Sequence, residues 1–217
     1  GLGDVYKRQT IRLPDGTARK GIERLLRPER PGEGDACGDI FLERQVVGSD
    51  GIAVRQQGVY PTQKQYGRMR TINLIVVHCS ATREDKSFTE HDLETCHRRR
   101  GFNGTGYHFY IRRNGDIKST RPIGRIGAHA RGFNKESIGI CYEGGLDCRG
   151  VPKDTRTSWQ KHSLRVLILT LLKDFPGCRI CGHRDLSPDL NGNGEIEPEE
   201  WIKACPCFEA SKEWNRE

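Results

Sequence analysis

The sequence predicts an α/β protein in which helices flank a central mixed β-sheet. Three observations support this. From Ile72 onward, short β-branched runs alternate with stretches of helical period. One long stretch repeats Leu and Ile at helical spacing, and Gly, Pro and Asn turns bound the runs. At 217 residues the chain can bury a proper core as one domain with an appendage.

Residues 1–70 are rich in Gly, Arg, Pro and Gln. Within them R-P-E-R-P-G-E-G-D-A-C-G-D reads as a turn-rich or disordered connector. The patches F-L-E-R-Q-V-V and G-I-A-V are expected to form short strands or a small appendage. Leu74–Val77 is β-branched and nearly all apolar, the pattern of a strand covered on both faces. Thr89 is the expected cap of a helix through Arg100, with Leu93 on its apolar side. Tyr107–Arg112 and Asp116–Thr120 read as a hairpin turned at Asn114-Gly115. Ser137–Tyr142 is another buried strand. The clearest element is a helix capped by Thr157, with Gln160 as capping-box partner. Leu164, Leu167, Ile168, Leu171 and Leu172 form its apolar stripe, and it stops near Pro176-Gly177. Arg179–Gly182 is a short strand leading to His183, and Trp201, Phe208 and Trp214 suggest short C-terminal helices.

Net charge is +7, with 36 Lys+Arg against 29 Asp+Glu. Residues 1–70 hold 13 basic and 9 acidic side chains, so the surplus is concentrated there. This suits an anionic partner such as a cell-wall polymer or nucleic acid, and equally a merely soluble surface. No run approaches the roughly 18 apolar residues of a membrane span. The opening G-L-G-D-V-Y-K-R-Q-T contains no apolar signal segment. The expectation from this is cytoplasmic synthesis. Nine cysteines include the pairs Cys178/Cys181 and Cys205/Cys207, which read as a tetrathiolate zinc site or, for the first pair, a disulfide.

His78, His183 and Cys205 each sit beside a break in an apolar run. Two imidazoles and one thiolate suit a zinc ion that keeps a fourth position open for water. Their separations of 105 and 22 residues match no short-motif rule.

Longer stretches bear on the question: V-H-C-S-A-T-R at 77–83, G-T-G-Y-H-F-Y-I at 104–111, G-A-H-A-R-G-F-N at 127–134, S-I-G-I-C-Y-E-G-G at 137–145, G-H-R-D-L at 182–186 and K-A-C-P-C-F at 203–208. In these, residues 73–217 resemble the zinc-dependent N-acetylmuramoyl-L-alanine amidases of the phage-lysozyme and peptidoglycan-recognition-protein family. The resemblance implies that fold, with a zinc amidase domain over 71–217 carrying an insertion at 187–200. It also implies His78, His183 and Cys205 as zinc ligands, Tyr107 and Lys203 as catalytic helpers, and cleavage of the amide joining the lactyl group of N-acetylmuramic acid to L-alanine. The expected partner is peptidoglycan or its muropeptides, met by a monomer with no nucleic acid bound. Read without the resemblance, Lys203 is a solvated surface residue and Tyr107 a core aromatic.

His129 lies in a Gly-rich loop, where two roles are open: orienting water or substrate, or bonding to backbone. His108 should face away from Tyr107 within a strand and serve packing. Asp185 is expected to accept a proton from a ring nitrogen of His183 or from a nearby Arg. Asp189–Glu200 reads as a twelve-residue calcium loop. Asp189, Asn191 and Asn193 stand at its first, third and fifth positions and Gly194 at the sharp turn; Glu195 offers its carbonyl, followed by Glu197 and Glu200. The competing reading is an acidic surface insertion. Three other functions compete with hydrolysis of the wall: a muropeptide-recognition module that does not cut, a metal-dependent nuclease, and a redox or structural zinc protein built on the four paired cysteines.

Overall fold

The computed structural model describes residues 70–214 and, as backbone, two strands before them: β1 (Arg44–Val47) and β2 (Ala53–Gln57). Both strands fall in the apolar patches of the N-terminal region; the connector read at residues 27–39 lies outside the described residues. The elements that follow are β3 (Leu74–Cys79), β4 (Thr82–Arg83), α1 (Glu90–Arg99), β5 (Phe109–Ile111) and β6 (Ile117–Ser119). They continue with β7 (Ser137–Tyr142), β8 (Gly145–Leu146), α2 (Ser158–Asp174), β9 (Arg179–Gly182) and α3 (Ala210–Trp214).

The sheet runs β1-β2-β6-β5-β7-β3-β9, with β4 and β8 as a separate two-stranded ladder. β3 lies parallel to both β7 and β9, β5 is parallel to β7, and the β5–β6 and β1–β2 pairs are antiparallel. The sheet is therefore mixed, as expected.

β3 and β7 are buried along their whole length, and successive side chains serve opposite faces. On one face Ile75, Val77, Ile138, Ile140 and Tyr142 pack under Leu164, Leu167, Ile168 and Leu171 of α2. On the other, Leu74, Val76 and Cys181 pack with Phe133 and Leu186, while Tyr110 and Cys141 pack with Leu93 of α1. Each buried Leu or Ile of α2 contributes about 1.5–3 kcal/mol. Its capping box, in which Thr157 and Gln160 exchange side-chain and backbone hydrogen bonds, is worth about 1 kcal/mol. Packing thus makes the stretch helical, and the cap sets where it begins. Thr89 and Asp92 cap α1 in the same way.

Two expected strands are shorter than their sequence patterns. Tyr107 precedes β5 because its carbonyl accepts the Thr120 hydroxyl (2.9 Å) instead of a strand partner. The hairpin turns at Gly115, whose φ of +89° suits glycine, and a Cβ there would press on Trp159 at 3.0 Å. The C-terminal region is less helical than expected. Pro198–Glu200 makes one 3-10 turn, and Trp201 is held instead by the Arg184 guanidinium 4.1 Å above its ring. α3 packs on β9, with Trp214 against Phe208 at 5.8 Å.

Candidate metal centre

β3 and β9 are parallel neighbours with Val77 opposite Gly182. The next residue on each chain is a histidine, so His78 and His183 stand side by side at the strand ends with ring centroids 4.7 Å apart. The segment after the acidic loop returns to the same edge. Arg184 N–H donates to the Cys205 carbonyl (2.8 Å), Cys79 N–H donates to Cys205 Sγ (3.2 Å), and the Tyr142 hydroxyl donates to the Pro206 carbonyl (2.6 Å). Gly182 makes room for this return, since a Cβ there would lie 2.4 Å from Pro206 Cδ. One ligand atom from each of His78, His183 and Cys205 lies within 4.8 Å of the others, the one such group of three His, Cys, Asp or Glu among the described residues.

The electrostatics suit a cation. His78 is fully buried, and burial lowers its pKa to about 4; the Cys205 hydrogen bond opposes the shift and His183 adds to it. The imidazole is thus neutral near pH 7, as a ligand must be. Burial pushes the Cys205 thiol up, but hydrogen bonds from Cys79, His183 and His78 outweigh it and hold the group well below the usual thiol range. A thiolate with two imidazoles is a donor set for a divalent metal with one position left open. Lys203 is half-buried nearby; burial lowers its pKa, the Cys205 charge opposes this, and Arg100 adds to it.

Tyr107 is half-buried at the rim, its ring centroid 5.0 Å from that of His78 and 5.5 Å from that of His97. His129 Nδ1 is 3.0 Å from His78 Nε2. His108 is fully buried: its Nδ1 accepts the Gly139 N–H (3.0 Å), and its Nε2 lies 3.0 Å from both an Arg70 nitrogen and the Arg125 carbonyl. The role is structural, carried by hydrogen bonds and not by the expected packing. Strict alternation with Tyr107 does not hold, because both precede β5 and both rings approach His129, at 6.2 and 5.7 Å.

Asp185 does not bond to His183. It accepts the Gly182 N–H (2.8 Å) and lies 3.7 Å from Arg184 Nε, so capping the 3-10 turn that starts at His183 takes the carboxylate. In the acidic loop Asp189 accepts the N–H groups of Gly192 and Gly194, while Glu200 accepts those of Leu190, Asn191 and Glu197. Asn191 donates to Glu197 (2.8 Å), and Asn193 accepts the Glu195 N–H. These side chains are engaged with the loop itself and form no metal group of three. The four-thiol site is absent as well: Cys178 packs in the main core and Cys181 on the opposite face of β9, and both are free thiols. Cys79, Ser137, Gly139, Tyr142 and Gly182 also shape the centre, and sequence reasoning gave them no part in it. The nearest hint was their place inside the motifs that flank the two histidines.

A parallel-strand edge presenting two imidazoles and a thiolate defines the class: a protein with a divalent-metal centre that leaves one position open. The family model for N-acetylmuramoyl-L-alanine amidase matches residues 68–200. An uncharacterized protein of Haemophilus influenzae is 48% identical over 96 residues, covering 44% of this chain and 83% of its own. The endolysin of Enterobacteria phage T3 is 34% identical over 152 residues, covering 70% of this chain and 91% of its own. Among solved structures, the N-acetylmuramoyl-L-alanine amidase LysC from Clostridium intestinale superposes with a TM-score of 0.51 at 28% identity, covering 66% of this chain and 82% of that one. The chain belongs to the N-acetylmuramoyl-L-alanine amidase family.

Proposed function

We propose that the metal is zinc, held by His78 Nδ1, an imidazole nitrogen of His183 and the Cys205 thiolate. With it, the chain hydrolyses the amide between the lactyl carbonyl of N-acetylmuramic acid and L-alanine in peptidoglycan. The convergence of those three ligand atoms within 4.8 Å is the observation that carries this reading. Two borderline nitrogen donors and one thiolate favour zinc over hard, oxygen-preferring cations. When bound, zinc supplies Lewis acidity and makes a water acidic enough to attack near neutral pH.

The chain's own groups do the rest. Lys203, two residues before Cys205, offers an ammonium to the oxygen on which charge develops as the carbonyl becomes tetrahedral. Tyr107 positions the attacking water or the leaving nitrogen by hydrogen bonding. Positioning suits a phenol better than proton abstraction, because its pKa near 10 makes it a weak base partner at neutral pH. A module that only recognises muropeptides needs no thiolate beside two imidazoles, and here all three are assembled.

The test is to incubate the purified chain with a defined muropeptide and analyse the products by mass spectrometry, with and without a chelator. Free stem peptide beginning at L-alanine is expected, lost on chelation, restored by added zinc, and absent for Cys205→Ala. Cleavage at another bond, or cleavage that survives chelation, would reject the assignment.

A further inference from the structure

We infer that His129 is a positioning residue: a buried line of hydrogen bonds running from a backbone carbonyl through Ser137 and His129 to His78 sets which nitrogen His78 presents to the metal. This rests on the reading of His78 as a ligand.

The line has one consistent direction. The Ser137 hydroxyl donates its single proton to the Phe133 carbonyl at 2.7 Å, and a carbonyl can only accept. Towards His129 Nε2, 3.4 Å away, Ser137 Oγ therefore acts as acceptor. A neutral His129 with its proton on Nε2 has a bare Nδ1, which faces His78 Nε2 at 3.0 Å. His78 must then carry its proton on Nε2 and leave Nδ1 as a lone pair. That Nδ1 is the nitrogen turned to the metal group, 3.9 Å from Cys205 Sγ. The tautomer a ligand needs is thus dictated three groups away by a peptide carbonyl.

The surroundings of His129 are shaped for this ring. Glycines flank it: a Cβ on Gly127 would come within 2.5 Å of the imidazole and one on Gly139 within 2.6 Å. Its backbone is pinned as well, because Asn134 Oδ1 accepts the N–H groups of both His129 (2.8 Å) and Ala130 (2.9 Å). The residue is only 8% exposed, and both ring nitrogens are engaged within the fold. Of the two roles open in the sequence, orienting water or substrate therefore gives way to a role inside the protein.

The experiment measures metal affinity directly, by competition with a chromophoric chelator for zinc and by the visible spectrum of the cobalt-loaded protein. It compares the parent chain with His129→Leu, His129→Asn and Ser137→Ala. His129→Leu removes the acceptor at similar bulk and should weaken zinc binding about 10- to 100-fold and alter the cobalt spectrum. His129→Asn places an amide oxygen where Nδ1 stood and should recover most of that affinity. Ser137→Ala, the mildest change, should weaken binding less than His129→Leu and leave thermal melting of the metal-free chain near the parent's. An unchanged affinity in a folded His129→Leu chain would overturn the proposal, as would equal losses in the Leu and Asn variants, which would indicate packing alone. If the parent chain binds no zinc, the ligand assignment itself fails, and the two failures are distinguishable.

Discussion

Gly182→Ala isolates the close approach on which the centre depends. Gly182 has φ −83°, which alanine adopts without strain, so the substitution acts through space alone. The new Cβ would sit 2.4 Å from Pro206 Cδ and 3.0 Å from Cγ, both atoms of a ring that cannot swing away. Restoring ordinary contact near ~3.5 Å moves Pro206 by about 1 Å. Cys205 is the preceding residue, tied by its carbonyl to Arg184. Metal–ligand distances tolerate only about 0.2 Å. The expected result is a stability loss of about 1–3 kcal/mol, the range for overpacking, with metal affinity falling at least ~10-fold. Urea denaturation of the metal-free chain measures the first effect and chelator competition the second. Parent-like values in both assays would refute the idea that contact between β9 and Pro206 holds the thiolate in place.

Other outcomes follow from the same geometry. Lys203→Met should lower kcat by about 10²–10³ if the ammonium stabilises the developing oxyanion; steady-state kinetics on metal-loaded protein check this, and a parallel loss of bound metal would point to a structural role. Burial holds His97 at about 4 and His108 at about 3, below the unfolded 6.5. The unfolded chain therefore takes up protons first as pH falls. Stability contributed by these groups is full above pH 6.5 and is lost towards pH 4 and 3, by about 1.4 kcal/mol per group per pH unit; melts across that range would show it, and a flat profile would contradict it. Thr157→Ala should cost about 1 kcal/mol in denaturant without reducing hydrolysis. Glu200→Gln should lower the melting temperature, because the carboxylate accepts three backbone N–H groups; a rise in the parent's melting temperature on adding calcium would support the calcium reading of that loop.

The elements most legible in the sequence were those whose cause is local. Leu74–Val77 announced a doubly covered strand through composition, and Thr157 with Gln160 announced a helix start through chemistry within one turn. β4 and β8 were not legible, since ladders of two residues leave no period to read. The same division runs through the site. His78 and His183 stood out because each follows an apolar run, but what brings them together is the register of Val77 with Gly182, a tertiary fact. Asp185 was given two candidate partners, His183 or a nearby Arg; it pairs with Arg184 at 3.7 Å, and its other oxygen takes the Gly182 N–H instead of His183. His129 was legible as a candidate and not as a link, because its partners His78 and Ser137 belong to strands paired across the sheet.

Hydrolysis of a defined muropeptide in heavy-oxygen water, followed by mass spectrometry of both products, tests the proposed chemistry most directly. Attack of water at the lactyl carbonyl should place one heavy oxygen on the carboxylate of the muramic acid product and none on the peptide, whose new terminus is the amine of L-alanine. Heavy oxygen on the peptide, or none on either product, would contradict metal-assisted hydrolysis of that bond.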